Sequence, residues 1–337
     1  MPRSALPATA AAARPARRGA DRLPPLGAHV SVAGGLANAF DRAADLGCTA
    51  IQIFVKNGNQ WRARPLAAEE AAAFRTAHAA SAAGTVLAHA SYLINLAATD
   101  TRIAEQSRQA LADELDRCGQ LGVSGLVLHP GAHLGAGEEA GVERAAAALG
   151  EVLAAAAAGP GGRPRVLLEN TAGQGSCLGH RLEHLAGIRA ALPARLRRRV
   201  GFCIDTCHAF AAGYPLHEAA GWRDFLAEVE SRLGLAALGC IHLNDSLRPF
   251  ASRRDRHAHI GEGQLGLPAF ARVLAEPALA AVPMILETEP GKEMEGHRRD
   301  LEVLRGLVRP RPAGAGRRDG GVRRQAPPRP KRLSRQG

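Results

Sequence analysis

A single-domain (β/α)8 TIM barrel of the α/β class is the fold this sequence predicts, and three observations carry the prediction. Eight short apolar runs recur through the middle of the chain, and each is followed by a helical stretch. The spacing of these units stays even. Eight units in roughly 280 residues is the usual size of such a barrel. A doubly wound open sheet is the alternative, but it seldom has so many evenly spaced units.

The runs, in order, are LGAHVS at 26–31, AIQIFVK at 50–56, TVLAHA at 85–90 and GLVLHP at 125–130. RVLLEN at 165–170, VGFCID at 200–205, LGCIHLND at 238–245 and VPMILETE at 282–289 complete the set. Each is of the near-continuous apolar kind that a parallel strand covered on both faces requires. The segments between them read as amphipathic helices. GGLANAFDRAADLG at 34–47 and RQALADELDRCGQLG at 108–122 each end in a glycine suited to a helix C-cap. The Gly/Pro-rich stretch at 159–164 reads as a loop before the fifth strand, because the same repeat continues on both sides of it.

Composition bounds the rest. The chain has 337 residues, enough for one large α/β domain, and 46% hydrophobic content with only 4% aromatic, so much of its apolar count is alanine. The formal charge of +11 suggests a nucleic-acid or membrane-surface protein until it is located. Residues 1–25 carry +4 and residues 309–337 carry +9, which leaves 28 basic and 30 acidic side chains in 26–308. The basicity therefore belongs to the ends and says little about the fold's own partner. Residues 1–25 and 309–337 are expected to be disordered basic tails, the second rich in Arg and Pro, around a barrel domain at 26–308. The six cysteines form no CxxC pair and several fall in expected strands, which suits buried thiols in a reducing cytoplasm. No apolar span of about 18 residues is present, so no membrane partner is expected.

The ends of the runs carry the chemistry. The third closes with His89, the fourth with His129, the fifth with Glu169, the sixth with Asp205, the seventh with His242 and the eighth with Glu287. Successive spacings are 40, 40, 36, 37 and 45 residues, about one strand–helix unit each time. Parallel strands in a barrel bring all six side chains to one rim, where barrel enzymes place their active sites. His208 follows in the turn after the sixth strand. Asp255 and His257 lie two apart in a loop, so an extended segment aims both to the same side. Five imidazoles and four carboxylates without a thiolate suit Zn2+ or Mn2+. Nine ligands exceed one ion's needs, so two or three ions with a bridging carboxylate are expected. Four carboxylates against three divalent ions leave a net charge of about +2, a pocket for an anion such as phosphate. His29, at the end of the first run, reads either as a support to a metal or as a phosphate contact. His78, His184, His217 and His297 fall on expected helices and read as solvated.

These motifs, HASYLINL at 89–96, LENTAGQG at 168–175, GFCIDTCHAFAAGY at 201–214, IHLND at 241–245 and DRHAHIGEG at 255–263, resemble endonuclease IV, the metal-dependent apurinic/apyrimidinic endonuclease family. The likeness covers about residues 26–305. It implies a (β/α)8 barrel with three Zn2+ per chain, Mn2+ being possible at one site. By position, His89, His129 and Glu169 would hold one ion. Glu169 would bridge to a second, held also by Asp205, His242 and Glu287, and His208, Asp255 and His257 would hold a third. The implied reaction cuts the phosphodiester 5′ to an abasic (AP) site in double-stranded DNA, leaving a 3′-hydroxyl, and also clears blocked 3′ ends. Glu169 and Glu287 are the implied catalytic carboxylates. Asn57, Asn59, Gln60 and Trp61 after the second strand, and Tyr92 and Leu93 after the third, are the implied DNA-binding residues. The resemblance implies base-excision repair by a cytoplasmic, nucleoid-associated monomer.

Three positions depart from the family pattern. Asn59 stands where some members carry an arginine, and Leu247 and Ala251 replace a common lysine and glycine before Asp255. Alanine is strained at a position that needs positive φ. A sugar isomerase or epimerase on a related barrel is the main rival reading, though it has no use for His208, Asp255 and His257. A non-enzymatic DNA-binding module is the second rival, and it leaves the nine ligands without a role.

Overall fold

The computed structural model describes residues 23–308. Apart from residues 23–25, the two expected tails lie outside this range. The strands are β1 (Leu26–His29), β2 (Ala50–Ile53), β3 (Thr85–His89), β4 (Gly125–Leu128), β5 (Arg165–Glu169), β6 (Val200–Asp205), β7 (Leu238–His242), β8 (Asp245–Ser246), β9 (His257–Ala258) and β10 (Met284–Leu286). β1 to β7 and β10 pair in parallel and close into an eight-stranded barrel, with β10 between β7 and β1. β8 and β9 form a separate antiparallel ribbon on the loop after β7.

The helices are α1 (Asn38–Asp45), α2 (Ala68–Ala80), α3 (Thr101–Leu121), α4 (Glu138–Ala155), α5 (Leu182–Ala191), α6 (Ala194–Arg197), α7 (Thr206–Ala212), α8 (Ala219–Arg232), α9 (Leu267–Ala275) and α10 (Glu295–Val308). Their limits follow local chemistry. At the start of α3 the Asp100 carboxylate accepts from the Ile103 amide at 2.9 Å, filling one of the unpaired N-terminal N–H groups. At its end Gly122 adopts φ 78°, the left-handed cap that glycine takes without strain. Among the described residues no helix is long and apolar enough to cross a membrane.

Side-chain alternation along the barrel strands positions the site. Below the mouth, Ala50, Leu87, Val127, Leu167, Cys203, Cys240 and Ile285 point inward and pack together as a closed apolar floor. In β1 the corresponding residue is Gly27, where a Cβ would lie only 1.7 Å from the Ala50 carbonyl oxygen. One step up the pleat, the next inward positions are His29, Gln52, His89, His129, Glu169, Asp205, His242 and Glu287. Eight strands thus deliver eight polar side chains above one dry layer.

Several expectations need correction. The strands stop earlier than the apolar runs, so His129 and Glu287 follow β4 and β10 by one residue. His184 and His297 are buried rather than solvated. His184 Nδ1 accepts from the Gly179 amide at 3.1 Å and its Nε2 meets Glu138, while His297 bonds the Thr288 carbonyl at 2.9 Å. Both occupy the inward face of an amphipathic helix, His297 in register with Leu301 and Leu304. His78 and His217 are half-buried. The six cysteines are free thiols, and all but Cys177 are buried.

Candidate metal centre

The nine residues singled out in the sequence come together at the C-terminal mouth of the barrel. Their ligand atoms form three groups, within each of which all lie within 4.8 Å of one another. His89, His129 and Glu169 make the first, and Glu169, Asp205, His242 and Glu287 the second. His208, Asp255 and His257 make the third. Glu169 belongs to two of them. Its Oε2 faces His129 Nε2 at 3.1 Å and His89 Nε2 at 3.4 Å, while its Oε1 faces His242 Nδ1 at 2.9 Å and His208 Nδ1 at 3.4 Å. In the third group Asp255 spans His208 Nε2 at 3.1 Å and His257 Nε2 at 3.2 Å.

Local structure explains how these side chains are aimed. Asp205 ends β6 and caps α7, accepting the His208 amide at 2.7 Å, so the same carboxylate that closes a strand also sets the first helical turn carrying His208. The β8–β9 ribbon brings His257 back over the mouth. Its Nδ1 meets the Glu287 carbonyl at 3.1 Å. His89 Nδ1 meets the Ala90 carbonyl at 2.7 Å and His208 Nδ1 the Asn170 carbonyl at 2.9 Å. A carbonyl only accepts, so in each neutral ring Nδ1 carries the proton and Nε2 keeps its lone pair. In all three rings that Nε2 faces a carboxylate of the centre, as metal-ligating histidines are held.

Electrostatics follow from the packing. Burial works to raise the pKa of Glu169, but the imidazoles of His242 and His129 outweigh it and hold the carboxyl well below its usual range. Glu287 is held low in the same way, against its burial, by His242. Burial likewise opposes charge on His208, and Asp205 and Asp255 overcome it and raise the ring well above its ordinary value. His257 rises to about 9, its burial outweighed by Asp255 and Asp205. Every imidazole in the third group therefore has an acidic neighbour, and every carboxylate an imidazole.

The donor set fits divalent cations. Glu169 Oε2 and His257 Nε2 are buried with no hydrogen-bond partner of good geometry, and both point into the cluster. Buried polar atoms without a partner cost about 1–3 kcal/mol each, so such atoms converging from different strands mark a place for ions. Nitrogen and oxygen donors in groups of three and four match Zn2+ or Mn2+ coordination.

Residues that sequence reasoning missed support this set. Gln52 is fully buried among Glu287, His242 and His29. Asn244 donates to Asp205 Oδ2 at 2.6 Å and accepts the Glu287 amide at 2.8 Å, tying three strand ends together. Asn170 exchanges two hydrogen bonds with the Asp205 backbone. None titrates, so none stands out in a search for metal ligands, although Asn170 and Asn244 lie within quoted motifs.

The rim loops lie beside the centre. Tyr92 is 58% exposed, its ring 5.2 Å from that of His89 and 6.3 Å from that of His129. Asn57, Asn59 and Gln60 are exposed, Leu93 is half-buried, and Trp61 packs against the core. The loops are tied down from below: buried Lys56 meets buried Glu114 at 3.3 Å, and Glu114 accepts the Ser91 amide. A cleft of about 240 Å³ runs from Tyr92 and Asn95 past His129 and His208 to Gln174 and Asp255. In the loop before Asp255, Ala251 takes φ 57° and Arg253 φ 51°, so the alanine does occupy a left-handed position.

Comparison with known proteins agrees with this geometry. The sequence model of the xylose isomerase-like TIM barrels matches residues 40–307. A protein of Chloroflexus aurantiacus named "Probable endonuclease 4" is 47% identical over 286 residues, 85% of this chain and 99% of its own. The crystal structure of endonuclease IV from Thermus thermophilus superposes with a TM-score of 0.73 at 38% identity, covering 85% of this chain and 99% of that one. A D-tagatose 3-epimerase-like protein, at 19% identity and TM-score 0.64, shares the fold alone.

Proposed function

Because this chain belongs to the endonuclease IV family, we propose that it is a DNA-repair nuclease that hydrolyses the phosphodiester 5′ to an abasic site and leaves a 3′-hydroxyl. The same centre would remove blocking groups from 3′ ends. One observation carries the reading. Nine donors fall into three groups at the open end of the barrel, two of them sharing Glu169, and the loops after β2 and β3 lie beside them. Three Zn2+ per chain, with Mn2+ possible at one position, is the occupancy that this donor set supports.

His89, His129 and Glu169 would hold one cation, Glu169, Asp205, His242 and Glu287 a second, and His208, Asp255 and His257 the third. Divalent cations there supply Lewis acidity, acidifying water and neutralising charge on a phosphate. The chain's own residues supply the rest. Glu169, fully buried and held ionised, sits where the groups meet and would orient the attacking water. Glu287, also held ionised, balances the positive charge opposite it. An abasic nucleotide has no base to unstack or unpair, so turning it into the mouth costs less than for intact DNA, and that difference selects the lesion. Tyr92 and Leu93 would fill the gap left in the stack. Asn57, Asn59 and Gln60 would contact the backbone beside it. The third group separates this reading from a sugar isomerase, whose chemistry gives His208, Asp255 and His257 no task.

The test is incubation with a duplex carrying one abasic site, with and without chelator. Cleavage on the 5′ side that chelator abolishes and Zn2+ restores supports the assignment. Cleavage on the 3′ side, or cleavage indifferent to chelator, refutes it.

A further inference from the structure

Gln52 is the one member of the ring of eight inward strand-end positions that does not titrate, and its bonds have a direction. Its Nε2 lies 2.6 Å from Glu287 Oε1. The amide nitrogen donates and the carboxylate oxygen accepts, so the NH2 faces Glu287. The amide oxygen then faces His242 Nε2 at 3.0 Å. That oxygen only accepts, so the neutral His242 ring must carry its proton on Nε2. The lone pair is left on Nδ1, which points at Glu169 Oε1 and, at 3.0 Å, at Glu287 Oε2. His242 is thus held opposite to His89, His208 and His257, where Nδ1 is tied to a backbone carbonyl and Nε2 faces the centre. A backbone carbonyl survives any substitution, whereas the anchor of His242 is a side chain.

We propose that Gln52 is a positioning residue for the second cation group: one amide fixes the His242 tautomer and steers Glu287, so that His242 Nδ1 and Glu287 Oε2 are presented together. The proposal rests on the metal-centre reading above and adds to it a residue that touches neither cation nor DNA. Gln52→Met removes the hydrogen bonds to Glu287 and His242, and the contact with His29 Nδ1 at 3.1 Å, at nearly constant volume, and Gln52→Leu does so with a different shape. Loss of such an outer partner typically weakens metal binding about 10–100-fold.

The experiment is Zn2+ titration of the metal-stripped full chain against a chromophoric chelator, for wild type and both variants, with thermal melting of each stripped protein. Support is an affinity weaker by about 10–100-fold for one of the bound ions while the others hold. If every affinity stays within twofold of wild type, the proposal is overturned, even if the stripped variants melt lower, because that is what a merely structural glutamine would do. A wild type that binds no Zn2+ would remove the metal-centre reading and this proposal with it. Binding that is equal in wild type and variants removes this proposal alone. Histidine 15N NMR of the zinc-loaded wild type gives a check that needs no variant to fold. The His242 ring should be protonated at Nε2, and those of His89, His208 and His257 at Nδ1. A His242 ring protonated at Nδ1 would overturn the assignment.

Discussion

Replacing Glu169 by Gln is the sharpest perturbation of the centre, because the shape stays and the charge goes. The carboxylate is one of three donors in the first group and one of four in the second, and it has no part in the third. Its two oxygens face four imidazole nitrogens within 3.4 Å. An amide in that place presents one oxygen and one NH2, so it cannot serve both groups. The expected cation content falls from three per chain toward two. Losing the shared carboxylate should remove about 4 kcal/mol or more of transition-state stabilisation, a rate loss of at least about 1000-fold. The assay is nicking of a fluorescent abasic duplex under saturating Zn2+, with metal content and far-ultraviolet circular dichroism on the same samples. A folded variant that keeps activity within tenfold of wild type would refute the role given to Glu169.

Three further outcomes are expected. Stripped of metal, the protein should lose stability as pH rises from about 6.5 to about 9. His257 is held above its unfolded value, so its contribution is complete below the unfolded pKa and gone above the folded one. A melting temperature that stays flat across that window in chelator contradicts this. Ala251→Gly should stabilise by about 0.5–1 kcal/mol, since a left-handed alanine costs about 1–2 kcal/mol and the greater freedom of unfolded glycine returns about half of that. Lower stability in a denaturant titration would show that φ 57° is not strained there. Deleting residues 309–337, which carry +9, should flatten the dependence of log affinity on log salt for duplex DNA. An unchanged slope would leave that segment outside DNA binding.

The barrel is legible in the sequence because buried parallel strands read as apolar runs, and a barrel repeats them at nearly constant spacing. Most of the centre is legible because His, Asp and Glu at the ends of such runs are out of place in a core. Gln52 escapes notice because an amide inside AIQIFVK looks like a tolerated polar residue; only closure of β2 and β10 against β1 sets it against Glu287 and His242. The β8–β9 ribbon escapes because two-residue strands have no periodicity to detect. His184 and His297 differ from expectation for another reason. Each lies on the apolar stripe of its helix, and the i, i+4, i+7 spacing of His297, Leu301 and Leu304 already carries that signal. The strain expected at Ala251 follows from a departure at one position, and its φ bears the expectation out.

The most direct measurement is the number of divalent ions per chain after reconstitution with excess Zn2+ and gel filtration, read by inductively coupled plasma mass spectrometry. Three donor groups, two of them sharing Glu169, predict three ions. A single ion per chain would contradict the polynuclear centre and favour sugar-isomerase chemistry on this barrel.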